Sequence, residues 1–432
     1  MTPGSILELD IERPVAGGRM LARHDGRIVL VSGAIPGERV RARLERQSRG
    51  VAFAAVSEVL ASSPARRDAI DPACGGQVYA HIVYGEQAAI KRAVVLDALA
   101  RGSRVRWEGE LPVHSANEQG SRMRARLHVR DGRVGFFREG THEICSASLP
   151  MQLTAASIAA IDRLVAMLPA GARDALDSIE LSENIAGDER VAHLVWAERT
   201  RVGADWLGPS LVSDGLTGVS VSDRASGMPL TAAGVATVSD AVASFAPTGV
   251  TGADIDPGLR LQRHAPSFFQ ANRYLVPTLV DAVLRHAGAG TIVDLYAGVG
   301  LFAIALAAQG RGPVTAVEGD PVSGMDLSAN AKALGRDLAI ERQPVEEFVR
   351  RLRLPAGSTV IVDPPRTGMS KEALDGVLAA RPSRLVYVSC DVATLARDLR
   401  RMVEAGYTLS VLEAFDLFPN TAHIEALAIL DR

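Results

Sequence analysis

The sequence predicts an α/β protein that ends in a doubly wound parallel sheet with an antiparallel C-terminal hairpin, preceded by a mixed α/β segment and an N-terminal OB-like β-barrel. Three observations predict it. From residue 263 onward, apolar strands alternate with amphipathic helices, the pattern of successive βα units. Two final apolar stretches, YTLSVLEAFDLFP and HIEALAILDR, follow one another with no helix between them and so form an antiparallel pair at one edge. The first sixty residues read as short strands separated by Gly/Pro turns. Three domains result, 1–60, 61–262 and 263–432, which 432 residues accommodate at ~100–200 residues per domain.

In the first part, SILELDIER alternates Leu7, Leu9 and Ile11 with acids, and RIVLV, RVRARLER and VAFAAVSEVL follow, divided by turns such as SGAIPGE at 32–38. The second carries a helical EQAAIKRAVVLDALAR at 86–101, strand-like MRARLHVR and RVGFFRE, a helix at 153–168 and further strands to about 222. Loop-rich stretches at 212–229 and 243–258 read as insertions or hairpin connections. In the third, strands at 291–296, 314–319, 358–365 and 384–390 alternate with helices at 300–309, 321–335, 370–380 and 392–405.

Composition narrows the class. With 47% hydrophobic and 22% charged residues the chain reads as globular. No apolar run approaches the ~18 residues of a membrane span, and the N-terminus lacks the apolar stretch of a secretory signal, so a cytoplasmic protein that does not engage a membrane is expected. Three cysteines, Cys74, Cys145 and Cys390, are too few and too odd in number for a disulfide framework, which leaves core filler, ligand or nucleophile for each. Arginine clusters: residues 13–49 hold nine against three acids, and 122–138 hold six against Asp131. Such surfaces suit a polyanion, although arginine is the default cation of a chain with only three lysines, Lys91, Lys332 and Lys371.

The third part carries the chemistry. AGVG at 297–300 lies between a strand and a helix, where backbone N–H groups approach a polar ligand, and Glu318 ends the next strand, where a carboxylate accepts both hydroxyls of a ribose. Both features also fit a dinucleotide, but Leu301 and Ala303 continue where a full G-x-G-x-x-G would place its last glycine. Asp363-Pro364-Pro365 follows a buried strand; the prolines stiffen the backbone and hold Asp363 at the strand's carboxyl end. Nucleobase and amine methyltransferases use a similar motif, whereas the plainer reading makes Asp363 a cap for helix 370–380. Cys390 ends the next strand beside a helix start, an environment expected to lower a thiol pKa. Glu425 begins the last strand at the same face, with His423 as a rival base two residues earlier.

A thiol, a carboxylate and a methyl-donor site together suit methylation of uracil carbon 5. That carbon is too poor a nucleophile to attack a sulfonium methyl until a thiolate adds to carbon 6, and a base must then remove the carbon-5 proton. FFQAN (268–272), DLYAGVGLF (294–302), VEGD (317–320), DPPRTG (363–368), SCDVATLARDL (389–399) and FPNTAHIEALAIL (418–430) occur in this order, and the domain resembles the RNA uracil-5-methyltransferase family, with its class I methyltransferase sheet. GAIPGERV at the front is similar to the TRAM domain, an RNA-binding barrel that some members carry. The resemblance implies Cys390 as nucleophile, Glu425 as base, and Gln270, Tyr296, Glu318 and Asp363 lining the S-adenosylmethionine and uracil sites. It further implies an RNA substrate, 23S rRNA favoured over tRNA, and a monomer.

Two departures stand out. Many members hold an iron–sulfur cluster through four cysteines; here CGGQ keeps Cys74, the stretch before it has none, and Cys145 is the one remaining candidate, so no cluster and no metal is expected. Leu301 also replaces a residue that is polar in some members. Two other function classes fit parts of the sequence: an amine N-methyltransferase, which would not need Cys390, and a noncatalytic RNA-binding protein that keeps the fold.

Overall fold

The computed structural model describes residues 2–69, 71, 73–103, 105–197, 208–212, 215–222, 227–246, 255–336 and 338–432. Five strands, β1 (Ile6–Pro14), β2 (Met20–His24), β3 (Arg27–Ser32), β4 (Arg39–Ser48) and β5 (Val51–Ala61), close a barrel in the order β1-β2-β3-β5-β4. Leu7, Leu9 and Ile11 point inward while the acids between them face water, as the period-2 pattern requires. Asp25 and Gly26, at φ 49° and 74°, make the left-handed two-residue turn between β2 and β3 that a hairpin's twist favours.

Helix α1 (Tyr84–Ala98) runs into a π turn at Leu99–Ser103 that lies against a late helix of the chain, and strand β6 (Val113–His114) follows. A seven-stranded sheet comes next, in the order β13-β12-β11-β10-β7-β8-β9, built from β7 (Arg124–Arg130), β8 (Arg133–Phe137), β9 (Ile144–Ser146), β10 (Leu176–Glu183), β11 (Arg190–Trp196), β12 (Gly218–Ser222) and β13 (Pro229–Gly234). Helix α2 (Ala155–Met167), capped by Thr154, packs Ile161, Leu164 and Val165 onto it; α3 (Ala170–Ala175) follows. A small ribbon, β14 (Thr237–Ala241) with β15 (Arg260–His264), leads to the last domain. Parts of the loop-rich 212–229 and 243–258 lie outside the described residues; what is described of the first includes β12.

The last domain holds β16 (Ile292–Leu295), β17 (Val314–Val317), β18 (Leu338–Glu341), β19 (Thr359–Val362), β20 (Arg384–Ser389), β21 (Thr408–Phe415) and β22 (Glu425–Asp431). The sheet order is β18-β17-β16-β19-β20-β22-β21-β6, with β16 to β20 parallel and β22 antiparallel to both neighbours. This is the class I methyltransferase sheet, and its last hairpin is the one the sequence predicts. Helices α4 (Val276–His286), α5 (Leu301–Ala308) and α6 (Pro321–Leu334) cover one face; α7 (Val345–Val349), α8 (Lys371–Ala380) and α9 (Val392–Glu404) cover the other. Neighbouring strand residues divide between the two cores: Ile292 faces the first and Val293 the second. The short edge strand β18 and helix α7 are absent from the sequence reading. β6 pairs in parallel with Ala414 and Phe415 of β21, so the stretch around 84–114 packs on this domain.

Burying Glu183 joins the central sheet to the last domain. Its carboxylate takes Arg190 on one oxygen and Arg273 on the other, while Arg263 pairs with Asp240 at 2.6 Å and donates to the Glu183 carbonyl at 2.7 Å. Removing one partner of such a buried pair costs about 3–5 kcal/mol, because the other charge is left unpaired.

The cysteines correct the sequence reading. Cys74 and Cys145, both buried, form a disulfide with their Cα atoms 5.6 Å apart across a separation of 71 residues. Parity argues against a framework of several bridges, not against one bridge between residues that folding brings together, and an isolated β-bridge between Cys74 and Arg138 brings that segment beside β8 and β9. Under denaturing, non-reducing conditions one thiol per chain, Cys390, should titrate, and iron assays on anaerobically purified protein should find none in stoichiometric amount. Cys74→Ser should lower the unfolding free energy by about 2–4 kcal/mol in non-reducing buffer and by little once reductant is added. Three titrating thiols would disprove the bridge.

Candidate active site

Between β16 and α5 the chain turns through residues 296–300 with Tyr296, Gly298 and Gly300 all left-handed, at φ 62°, 57° and 97°. A Cβ at Gly300 would stand 2.8 Å from both Ile304 and Leu327, so only glycine lets α5 start this close to α6. The turn aims the Gly298 N–H at Glu318, which accepts it at 2.7 Å on one oxygen and the Asp320 N–H at 2.6 Å on the other. Burial raises the Glu318 pKa, and these backbone donors hold it back. Each oxygen keeps a lone pair for a further donor such as a ribose hydroxyl.

Asp363 follows β19 and accepts from Gln270 Nε2 at 3.0 Å. Burial pushes its carboxyl up to about 7, against the pull of that hydrogen bond. It caps no helix: Ser370 does that for α8, accepting from Ala373 N–H at 3.1 Å. Glu425, the first residue of β22, is buried with Oε1 unpartnered, and burial and Asp363 hold its pKa well above the ordinary value, with Arg366 opposing.

Cys390 follows β20 and is half-buried. Its thiol is pushed up to about 12 by burial and then by Glu425 and Asp363, against the weaker pull of Arg366. The direction is thus opposite to the lowered thiol pKa expected from the sequence. The helix start that suggested it is already taken, because Asp391 caps α9, accepting from Ala393 N–H at 3.0 Å and Thr394 N–H at 2.8 Å.

Gln270, Tyr296, Glu318, Asp363, Cys390 and Glu425 line a single cleft of about 670 Å³. Glu318 and Asp363 do not follow adjacent strands, since β16 lies between β17 and β19. His423 is exposed, its ring edge-on to Phe418 at 5.9 Å, and does not line the cleft; Leu301 is buried in the core of α5. Sequence reasoning missed Asp294, which opens the DLYAGVG motif. Burial, Asp363 and Glu318 raise its pKa well above the ordinary value; one oxygen accepts from Ala303 N–H at 3.1 Å and the other is unpartnered. It also missed Arg366, Phe268 and Phe418 as cleft residues.

The arginine clusters split on inspection. Arg126, Arg130 and Arg138 pair with Glu180, Asp177 and Asp71, and in the barrel Arg13, Arg19, Arg23, Arg39 and Arg41 are also paired. Arg122 and Arg124 instead enter the cleft from the central sheet. The charged groups acting on Arg122 are both arginines, Arg124 and Arg366; burial, then their repulsion, lowers its pKa to about 10. A cation so placed favours an anion from outside. Among the described residues no cluster of three or more His, Cys, Asp or Glu could hold a metal ion, and no helix is long and apolar enough to cross a membrane.

Comparison with known proteins supplies the context. Residues 256–432 match the tRNA (Uracil-5-)-methyltransferase family and residues 1–56 the TRAM domain. The chain is 31% identical to the 23S rRNA (uracil(1939)-C(5))-methyltransferase of Alkalilimnicola ehrlichii, over 96% of this chain and 94% of that one. It is 30% identical to the enzyme of the same name from Pseudomonas putida, over 99% and 94%, and 30% identical to an uncharacterized RNA methyltransferase of Aquifex aeolicus, over 98% of each. Among solved structures, the Pyrococcus abyssi tRNA (uracil-54, C5)-methyltransferase in complex with S-adenosyl-L-homocysteine superposes with a TM-score of 0.73 at 23% identity, covering 98% of this chain and 99% of that one, which establishes a common fold.

Because the thiol is protonated at neutral pH, alkylation of Cys390 by iodoacetamide should be slow at pH 7 and accelerate about tenfold per pH unit through pH 10. Asp363→Asn and Glu425→Gln, each removing a negative charge, should shift that profile to lower pH. A rate that levels off below pH 8 in the unaltered protein would show the thiolate already formed.

Proposed function

The chain belongs to the RNA uracil-C5 methyltransferase family, and on that premise we propose that it transfers a methyl group from S-adenosylmethionine to carbon 5 of a uridine in RNA through a covalent Cys390 adduct, with Glu425 as the base. The observation that carries the reading is one cleft in which a free thiol, a buried carboxyl with an unpartnered oxygen and two arginines, Arg122 and Arg124, converge. We further propose 23S rRNA over tRNA as substrate, supported by the relatives that carry that name and by the barrel, and a monomeric enzyme, since one chain supplies the whole cleft.

The residues fit the cofactor. Glu318 is fixed by two backbone N–H groups with lone pairs to spare for ribose hydroxyls, and Gln270, Tyr296 and Asp363 flank it. Bound S-adenosylmethionine supplies an electrophilic methyl on a sulfonium. Cys390 adds to carbon 6, and its proton needs an acceptor; Asp363, titrating near neutrality, is the nearby acid that is ionised in part. Carbon 5, now nucleophilic, takes the methyl. With S-adenosylhomocysteine as the leaving group of that transfer, Glu425 then removes the carbon-5 proton, the C–H electron pair re-forms the carbon 5–carbon 6 double bond, and Cys390 is expelled as a thiolate that takes a proton back. The raised pKa of Glu425 makes it a stronger base than an ordinary carboxylate, and its free oxygen is available for the proton. Arg122 and Arg124 suit phosphates that flank a base drawn out of the RNA, and in the barrel Arg46, over Phe53 at 3.7 Å, offers a further contact.

The two catalytic losses should differ in kind. Cys390→Ala should bind RNA and form no covalent adduct. Glu425→Gln should add, transfer the methyl and stall, so that a protein–RNA species resistant to denaturing electrophoresis accumulates. Retained activity in Cys390→Ala would overturn the mechanism and favour an amine N-methyltransferase. In a strain lacking the protein, mass spectrometry should find a 5-methyluridine missing from 23S rRNA; its loss from tRNA instead would overturn the substrate assignment.

A further inference from the structure

Phe418 and Glu425 reach the cleft from the loop 416–424 and the first residue of β22. This loop is braced by residues more than 300 positions earlier in the chain. Asn420, 3% exposed and left-handed at φ 64°, is the focus. Its side-chain oxygen accepts from Gln87 Nε2 and Arg67 Nη2, both at 2.8 Å, and its Nδ2 donates to Glu118 Oε2 at 3.1 Å. The Asn420 N–H donates to Gln87 Oε1 at 3.0 Å, and its carbonyl accepts from the Tyr79 N–H at 2.8 Å. Arg67 and Glu118 are themselves joined by two bonds of 2.9 and 2.7 Å. At the start of the loop, Lys91 and Asp416, both fully buried, pair at 2.5 Å, and Lys91 also donates to the Phe418 carbonyl at 2.9 Å. None of these bracing side chains lines the cleft.

We propose that Asn420, with Gln87, Arg67 and Glu118, forms a positioning set for the proton-removal step, fixing the loop that presents Phe418 and Glu425. The inference rests on the reading of Glu425 as the base. Cys390 directly follows β20 and makes no contact with the brace, so thiol addition and methyl transfer should survive its loosening. Proton removal should not, because a base displaced by about 1 Å loses much of its rate.

The test exchanges donor and acceptor. Asn420→Asp sets a carboxylate against Glu118; Asn420→Asp combined with Glu118→Gln restores one donor facing one acceptor there, and Arg67, which gives up its bond to Glu118 Oε2, keeps a carboxylate partner at position 420. The single variant should lose about tenfold or more in kcat with KM for RNA changed less than about threefold, and should accumulate the methylated covalent adduct; the double variant should recover. Asn420→Gly, which tolerates the left-handed φ and loses only the side-chain bonds, should accumulate the same adduct and guards against a single variant that fails to fold. Normal kcat in both single variants, loss of kcat without adduct, or no recovery in the double variant would overturn the inference. Glu425→Gln run in parallel separates the two readings: adduct there but not in the Asn420 variants overturns the brace alone, whereas adduct in neither overturns the base assignment and the brace with it.

Discussion

Level strand ends are the constraint around which the rest of this molecule is arranged. Leu295 stands opposite Val317 on one side and Val362 on the other, and Val362 opposite Tyr387, so β16, β17, β19 and β20 end nearly in step. Both faces of the sheet are covered by helices, which leaves its carboxyl edge as the place where polar groups can gather. The residues that follow those ends, Tyr296, Glu318, Asp363 and Cys390, are delivered there by register alone. An all-parallel sheet would stop at that. Because β22 runs the other way, with Ala426 opposite Ser389, its first residue arrives at the same edge, and Glu425 comes to lie beside a cysteine 35 positions earlier in the chain.

Gathering acids in a dry space has an electrostatic consequence. Asp294, Glu318, Asp363 and Glu425 are all raised, chiefly by burial. A carboxyl whose folded pKa lies above its unfolded value contributes stability that is complete below the unfolded pKa and is lost as pH rises through the folded one. For Asp363 that loss runs from about pH 4 to about pH 7. Burial, and then Glu425 and Asp363, push the Cys390 thiol up as well. A cysteine of this kind is sheltered from adventitious alkylation and oxidation.

Sequence legibility followed the range of the interactions. The barrel strands and the βα units were readable because hydrophobic period is local, and the six residues that share the cleft were readable because they stand in motifs, most of them at strand ends. Strand β18 escaped because Leu338–Glu341 is a half-buried edge strand of four residues with no strong alternation. The Cys74–Cys145 bridge and the split of the 122–138 arginines depend on which residues fold brings opposite, Glu180, Asp177 and Asp71, and no local pattern contains that. The pKa direction of Cys390 failed for a similar reason: a helix start was visible, but its capture by Asp391 and the approach of Glu425 were not.

The three parts of the chain are not independent modules strung together, because two of them build the cleft and the third packs against a loop that borders it. Arg122 and Arg124 enter it from the central sheet, which Glu183 ties to Arg273 just beyond FFQAN. The loop before Glu425 is held by residues between the barrel and that sheet, and its Ala422 packs against the barrel core, close enough that a Cβ at Gly18 would stand 3.0 Å away. The barrel therefore also touches the loop that leads into Glu425. The seat of the barrel is thereby tied, through Ala422 and the hydrogen bonds of Asn420, to the loop that precedes Glu425 and so to one wall of the cleft.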